Sequence, residues 1–511
     1  MLLSSSSSKS MLSRFAFESL SSIGWLNSKM PRTLVGVHDL PLGLLHDIGI
    51  VSADVCGLRP RRRAQESAKY NCSIGALARL PHDSLMSWQL PDSAQTGINR
   101  GGDHSTEARK VNEQAPVADW ATDFDPTHPQ WINDPAPILK EIRGRCPVAH
   151  TDRMLGVYLT TTYQAAREVM LNWKAFSSRR VVVRNDRPQQ MVLAPPVSVD
   201  PPHHTWIKQV LLPVFTLEAT RKLECHIRET CRSLLEGLKG RKGCDAGQDY
   251  AAHVASTTLA HLLGVPKQDG GLLLKWIHEM FDVGVTDPIR LFAAIRESES
   301  YFAELVAARR AKNEDDTITL LVNAKDADGK PLTDAYIQAT LRVLMMAGVD
   351  TSLCAIASAI WHMANHPEDR DRLVADPALI PGAIEEFLRA YPPATAGREV
   401  MTETVVQGCP MKPDNMVLVS FMAANRDPAV FSDPDDVVID RGDSNKHMAF
   451  GYGIHRCIGI HLGRAEMTIA IEEWLKAFPK FRPDPDGEVR FSVGQMRGPQ
   501  HLPVRTHTAS D

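Results

Sequence analysis

The segment Phe450-Gly451-Tyr452-Gly453-Ile454-His455-Arg456-Cys457-Ile458-Gly459 places one cysteine where a glycine-bearing loop runs into a helix. A thiol at such a place can be held as a thiolate against a metal. Gly451, Gly453 and Gly459 lack a Cβ, so the backbone can take strained dihedrals and pass close to a flat cofactor, while Phe450 supplies an aromatic wall. From Ile458 onward Leu462, Ala465, Ile469 and Trp474 recur at helical spacing, which predicts a helix whose free N–H groups and dipole favour negative charge on Cys457. This reading expects a lowered thiol pKa. A zinc site drawn from His447, His455, Cys457 and His461 is the weaker alternative, because the paired spacings of tetrahedral zinc sites are not found here.

A second cluster lies in a long apolar run. Ala347-Gly348-Val349-Asp350-Thr351 puts a carboxylate and a hydroxyl inside a helix expected over Thr333 to Asn365, opened by an N-cap threonine and closed before Pro367. Burying an unpaired carboxylate costs several kcal/mol, so Asp350 needs a partner, ordered water or a ligand. Gly348 weakens the helix by about 1 kcal/mol relative to alanine and admits a bend or a close ligand. Glu386 and Arg389, three apart on a short helix that starts near Pro381 and ends at Tyr391-Pro392-Pro393, can pair on one face. Pro201-Pro202-His203-His204-Thr205-Trp206-Ile207-Lys208 opens another helix, with His204 and Lys208 one turn apart.

Taken in order, these segments resemble the cytochrome P-450 monooxygenases. The loop matches Phe-x-x-Gly-x-His-x-Cys-x-Gly at Phe450, Gly453, His455, Cys457 and Gly459. The pentad resembles the family's acid–alcohol pair, and Asn425-Arg426-Asp427-Pro428 falls between the two in the expected place. By resemblance Cys457 is the axial haem ligand, beside Phe450 and Gly451. Thr351 and Asp350 hold water and deliver the two protons that oxygen cleavage consumes. Glu386 and Arg389 form a buried pair completed by a later arginine, Arg426 or Arg441. His204, Lys208, Arg398 and His447 face the haem propionates, with lysine at 208 in place of the usual arginine.

The resemblance implies a mainly α fold with small β-sheets, the cytochrome P-450 triangular helical prism around haem b (iron protoporphyrin IX). It implies O2 as co-substrate and reducing equivalents from NAD(P)H. The chain ends at Asp511, soon after Cys457, so electrons are expected through a separate ferredoxin or flavodoxin and its reductase. Lys446, Arg456 and Arg464 are candidates for a basic docking patch. The expected reaction inserts one oxygen atom into an apolar small organic substrate. A peroxygenase or rearranging haem-thiolate enzyme is the first alternative, and a non-catalytic haem protein the second. Family analogy draws the substrate pocket from residues 180–197, 281–286, Leu344, Ala347 and residues 394–397.

Elsewhere the 511-residue chain reads as globular, with 43% hydrophobic content and a formal charge of -4 that gives no bias toward nucleic acid. Nine cysteines without repeated spacing argue for a reducing, cytoplasmic setting. No uninterrupted apolar run reaches membrane-spanning length, so no integral membrane association is expected. Residues 1–115 are rich in serine and weak in periodicity, and read as a low-complexity, disordered extension: a tail, a targeting segment or an early start. Residues 116–511 read as the haem domain. Helices are expected from Pro135 to Gly144, Tyr163 to Leu171 and Thr216 to Leu238, with Leu217, Leu223, Ile227, Leu234 and Leu238 on the buried face of the last. A strand is expected over Val157 to Thr160, and a hairpin joining Val405-Val406 to Met416–Phe421.

Overall fold

The computed structural model describes residues 116–183, 193–284 and 287–506, so the expected extension over residues 1–115 lies outside the described residues. Helix ends follow local chemistry. Helix α1 (Pro135–Arg145) starts on a proline and is capped by Asp134, whose carboxylate accepts the Ala136 N–H. Strands β1 (Val148–Thr151) and β2 (Val157–Thr160) pair antiparallel, and Thr162 caps α2 (Tyr163–Leu171). After β3 (Phe176–Ser177) come α3 (His203–Leu211) and α4 (Leu217–Leu238), the latter capped by Thr216. Its buried positions are Thr220, Leu223, Ile227, Cys231, Leu235 and Leu238. Leu217 is exposed and Leu234 half-buried, so the buried face is set by the other positions.

Helix α5 (Ala252–Leu263) precedes α6 (Asp334–Asn365), which Thr333 caps through the Tyr336 N–H. Although Arg342 and Asp350 interrupt its apolar run, α6 is long and apolar enough to cross a membrane. Most of it is instead buried against the protein, with Ile356, Ala357 and Ile360 fully inaccessible. Each buried isoleucine among them stabilises the fold by about 1.5–3 kcal/mol. Helix α7 (Ile380–Ala390) carries Glu386 and Arg389, and α8 (Ile460–Ala477) follows the cysteine loop. Helix α8 packs along both α4 and α6, and its Trp474 is fully buried among Tyr250, Phe478 and Phe481.

The expected hairpin is corrected. Strand β4 (Ala396–Val400) precedes β5 (Thr404–Val406), which pairs with β6 (Cys409–Met411) and not with β7 (Met416–Val419). Gln407 and Gly408 both have positive φ, 47° and 81°, which is the two-residue turn that closes a tight hairpin at once. Strand β7 is thereby released into a five-stranded sheet ordered β1–β2–β7–β4–β3, parallel to β2 and antiparallel to β4. All four β7 residues are buried, as a central strand requires.

Candidate functional site

The cysteine loop is built on glycines in the left-handed region. Gly451 has φ 71° and Gly453 φ 69°, and a Cβ on Gly453 would stand 2.6 Å from the Met170 carbonyl oxygen, so no other residue fits there. The Cys457 N–H donates to the Phe450 carbonyl at 2.8 Å and closes the loop just before α8 begins. Cys457 is set deep in the fold and still keeps accessible surface, as a group lining an internal cleft does. The sequence expectation of a lowered pKa is not met. Burial pushes the thiol up, and the Gly459 N–H with the charges of Lys208, Arg456 and Arg464 offsets only part of that.

A cationic cluster meets this loop. The His204 ring, on α3, lies 4.0 Å centroid to centroid from His455 of the loop. Both rings have a buried nitrogen, His204 Nδ1 and His455 Nε2, with no hydrogen-bond partner among the described residues. Burial first, then Lys208, holds His204 down at about 4; burial, then Arg398, His204 and Lys208, holds His455 down to about 2. Arg398 on β4 is 5% exposed and donates to the Gly397 carbonyl at 2.6 Å, with burial lowering its pKa to about 10. Asp200 acts electrostatically on His204 and Arg398, while its carboxylate oxygens accept from the Ser177 hydroxyl and the Ser178 N–H. Burial and the neighbouring charges of Lys208 and Arg398 keep both imidazoles neutral, so a buried guanidinium stands with two neutral rings, each with an unmet ring nitrogen, a set that an incoming anion would satisfy.

Two further expected members have protein contacts of their own beside that cluster. Lys208 donates its ammonium to the carbonyls of Ile454 at 2.6 Å and Arg456 at 2.9 Å. His447 Nδ1 accepts the Ala449 N–H at 3.0 Å, and its Nε2 lies 3.3 Å from Glu385 Oε2. Burial pushes Glu385 up, but the hydrogen bonds of His447 and Arg464 outweigh it and hold the carboxyl down at about 2. Arg464 is also removed from the proposed surface patch: it grips Glu385 with two bonds of 2.6 Å and lies 5.1 Å above the Phe450 ring.

On α6, Ala347 is exposed and Met346, Gly348 and Thr351 are half-buried, in a helix that is otherwise mostly buried. The Thr351 hydroxyl donates back to the Ala347 carbonyl at 2.6 Å, a local bond that a bound ligand or water can replace. Asp350 is 1% exposed, and its Oδ1 accepts from Gln500 Nε2 at 2.8 Å; Gln500 is on β8 (Pro499–His501). Next along α6, the Ser352 hydroxyl donates to Glu466 Oε2 at 2.7 Å. Burial pushes Glu466 up to about 8. Neither Gln500 nor Glu466 belongs to a recognised motif, and His455, although part of the loop pattern, received no role from sequence. Its histidine identity beside a buried helix-start histidine was the available signal.

Glu386 and Arg389 are fully buried and joined by bonds of 2.7 and 2.8 Å. The open choice between two later arginines resolves to Arg441, whose Nε is 3.1 Å from Glu386 Oε1. The Val438 N–H and Ser444 hydroxyl add bonds of 2.8 and 2.9 Å to the same carboxylate. Arg426 instead donates to the Ala390 carbonyl and lines a separate cavity of about 200 Å³, together with Trp361, Tyr391, Phe491 and Arg497.

The family profile described as Cytochrome P450 matches residues 290–378 and 375–502. Cytochrome P450 107B1 of Saccharopolyspora erythraea is 32% identical over 69% of this chain and 89% of its own length. The chain belongs to the cytochrome P450 family. The steroid C26-monooxygenase of Mycolicibacterium smegmatis is 29% identical over 68% of the P450 chain and 87% of the relative. The solved structure of cytochrome P450 CYP109Q5 from Chondromyces apiculatus superposes with a TM-score of 0.69 at 28% identity, covering 77% of this P450 and all of that chain. The P450 is a bacterial-type haem-thiolate monooxygenase, an oxidoreductase that incorporates oxygen.

Its residues fit the haem that the family implies. A thiol with accessible surface adjoins the start of a helix, and the buried Arg398 guanidinium together with the His204 and His455 rings, each with an orphaned ring nitrogen, is a donor set suited to carboxylates. The opposite requirement, a helix face with room beside a hydroxyl, is supplied by Ala347 and Thr351.

Proposed function

We propose that this P450 inserts one oxygen atom from O2 into an apolar small organic substrate, with electrons originating from NAD(P)H and delivered by a separate ferredoxin or flavodoxin. Cys457 would hold the haem iron through its thiolate. His204, His455 and Arg398 are assigned to the haem carboxylates, since each brings a buried donor that protein acceptors leave partly or wholly unused. The observation that carries this reading is the convergence of His204 from α3 and Arg398 from β4 on His455 of the loop that bears the thiol. When bound, the haem supplies the oxidising chemistry. The chain's part is to hold the sulfur, neutralise the carboxylates and manage protons.

Thr351 is assigned to orienting a water or hydroxyl donor at the open α6 face by exchanging its bond to the Ala347 carbonyl. Asp350, anchored by Gln500 through one oxygen, passes protons toward it from the buried side. Glu386, Arg389 and Arg441 are assigned a scaffold role. Of the expected docking cations, Arg456 remains exposed, and Lys446 is exposed beside Asp443 at 3.3 Å. These two are the remaining candidates for contact with an acidic redox partner. The substrate pocket draws on Leu344, Ala347, residues 180–183 and 193–197, residues 281–284, and residues 394–397; residues 184–192 and 285–286 of the expected lining lie outside the described residues. Small and aliphatic groups predominate, which favours a terpenoid, fatty acid, steroid or aromatic ring. The relatives named for steroid and vitamin D(3) oxidation support bulky apolar candidates first.

The test is spectroscopic. The reduced, carbon-monoxide-bound protein is expected to show the red-shifted absorption of thiolate ligation, lost in Cys457→Ala. Screening apolar ligands for a ferric spin-state change then ranks substrates. A protein that binds porphyrin without that absorption, or retains it in Cys457→Ala, refutes the assignment.

A further inference from the structure

Lys208 occupies the position at which the sequence pattern has an arginine for a haem carboxylate, but its ammonium is engaged with the backbone. It reaches two carbonyls, Ile454 and Arg456, that lie three and one residues before Cys457. These are the peptide groups whose orientation sets where the sulfur points. The same segment makes two further contacts with the loop. The His204 ring lies 4.0 Å centroid to centroid from His455, tilted by 49°, and Phe215, just beyond α3, lies 3.7 Å from where a Cβ on Gly459 would stand. The segment His203 to Phe215 therefore touches the loop before and after the cysteine.

A loop with two glycines of positive φ has little stiffness of its own. Its shape must come from what grips it. Within the loop, the Cys457 N–H to Phe450 carbonyl bond fixes one side. On the other side, charge-assisted bonds from one ammonium to two carbonyls are the strongest polar restraint among the described residues. Lysine suits this use, because a compact ammonium with three donors can serve two converging carbonyls, whereas a planar guanidinium fork is matched to a carboxylate.

We propose that Lys208 is a positioning residue: it braces the cysteine loop and fixes the direction of the sulfur, leaving the haem carboxylates to His204, His455 and Arg398. The proposal rests on the haem-thiolate reading of the site. It predicts a division of labour between thiolate ligation and haem retention that two measurements separate. The first is the lifetime of the red-shifted band of the reduced, carbon-monoxide-bound protein in mild urea, which reports sulfur ligation. The second is the rate of haem transfer to excess apomyoglobin, which reports the hold on the porphyrin as a whole.

In haem-loaded Lys208→Met the thiolate band is expected to decay roughly tenfold faster, the effect of losing hydrogen bonds from a charged donor, while haem transfer changes by less than about twofold. Arg398→Met should show the reverse pattern. Lys208→Arg, which keeps the cation but offers a planar fork less matched to two converging carbonyls, should recover only part of the lost lifetime. Faster haem transfer from Lys208→Met with an unchanged band lifetime would place Lys208 on the carboxylates and overturn the brace. Identical behaviour of the Met and Arg variants would assign the effect to packing and overturn it too. Absence of the thiolate band in the wild-type protein would overturn the reading of the site itself, and the brace with it.

Discussion

Glu466 offers the sharpest thermodynamic test of how this core is built. It is 3% exposed, its carboxyl accepts from the Ser352 hydroxyl at 2.7 Å, and no cation pairs with it among the described residues. Burial raises its pKa from 4.5 to about 8. In the folded protein the group is then neutral at pH 7, while in the unfolded chain it is ionised. Folding takes up a proton between about pH 4.5 and 8, so the stability linked to this group is full below 4.5 and is lost as pH rises through the folded value. Each pH unit in that window costs about 1.4 kcal/mol, which by pH 7 amounts to about 3 kcal/mol.

Glu466→Gln keeps the volume and can still meet Ser352, but it does not titrate. The variant should therefore match wild type near pH 4.5 and become more stable than it by about 1.4 kcal/mol per unit toward pH 7. The assay is urea denaturation of both haem-loaded proteins at matched pH values, read as a difference so that pH effects common to the two cancel. Infrared difference spectra supply an independent check: a protonated-carboxyl band present at pH 6 should fade near pH 8 and be missing in Glu466→Gln. Parallel stability curves for the two proteins from pH 5 to 7, or no such band, would show that Glu466 is ionised in the fold and that a partner has been misjudged.

Three further outcomes follow from the site geometry. Thr351→Ala should uncouple turnover, with reductant consumed and peroxide released in place of product; unchanged coupling removes Thr351 from proton handling. Glu386→Ala strands two buried arginines, Arg389 and Arg441, and should cost about 3–5 kcal/mol, seen as loss of bound haem or of soluble expression. A holo-protein of normal denaturation midpoint would contradict that role. Gly453→Ala forces a Cβ to 2.6 Å from the Met170 carbonyl at φ 69°, so beyond the roughly 1–2 kcal/mol of a left-handed alanine the loop must shift. The expected result is a broadened or short-lived thiolate band, while Gly442→Ala, where a Cβ meets nothing within 4 Å, should leave it intact.

Elements whose limits are set by neighbours in sequence were legible before the fold was known. Thr162, Thr216 and Thr333 each announce a helix that begins at the next residue, because an N-cap acts on N–H groups two or three positions away. The hairpin was misread for the converse reason. Strand β7 looks like a partner for β5, but its hydrogen bonds go to β4 and to β2, the latter more than two hundred residues earlier, and only the Gln407-Gly408 turn betrays that β5 is already satisfied.

The same distinction governs the site, where sequence nominates polar residues and through-space neighbours decide what each is for. Glu386 accepts from Arg389, Arg441, Val438 and Ser444, so nothing of it is left for a ligand. Lys208 gives two bonds to backbone carbonyls that stand some 250 positions away along the chain, and its service to the loop is visible only in the fold. His204 and His455 show the opposite condition, each with a buried ring nitrogen for which the described protein provides no partner. Leaving such a nitrogen unmet costs about 1–3 kcal/mol, and a site that leaves two within stacking distance is built for an acceptor brought from outside. At this site His204 and His455 differ from Glu386 and Lys208 in how completely the polypeptide satisfies them, a property that no motif spacing encodes.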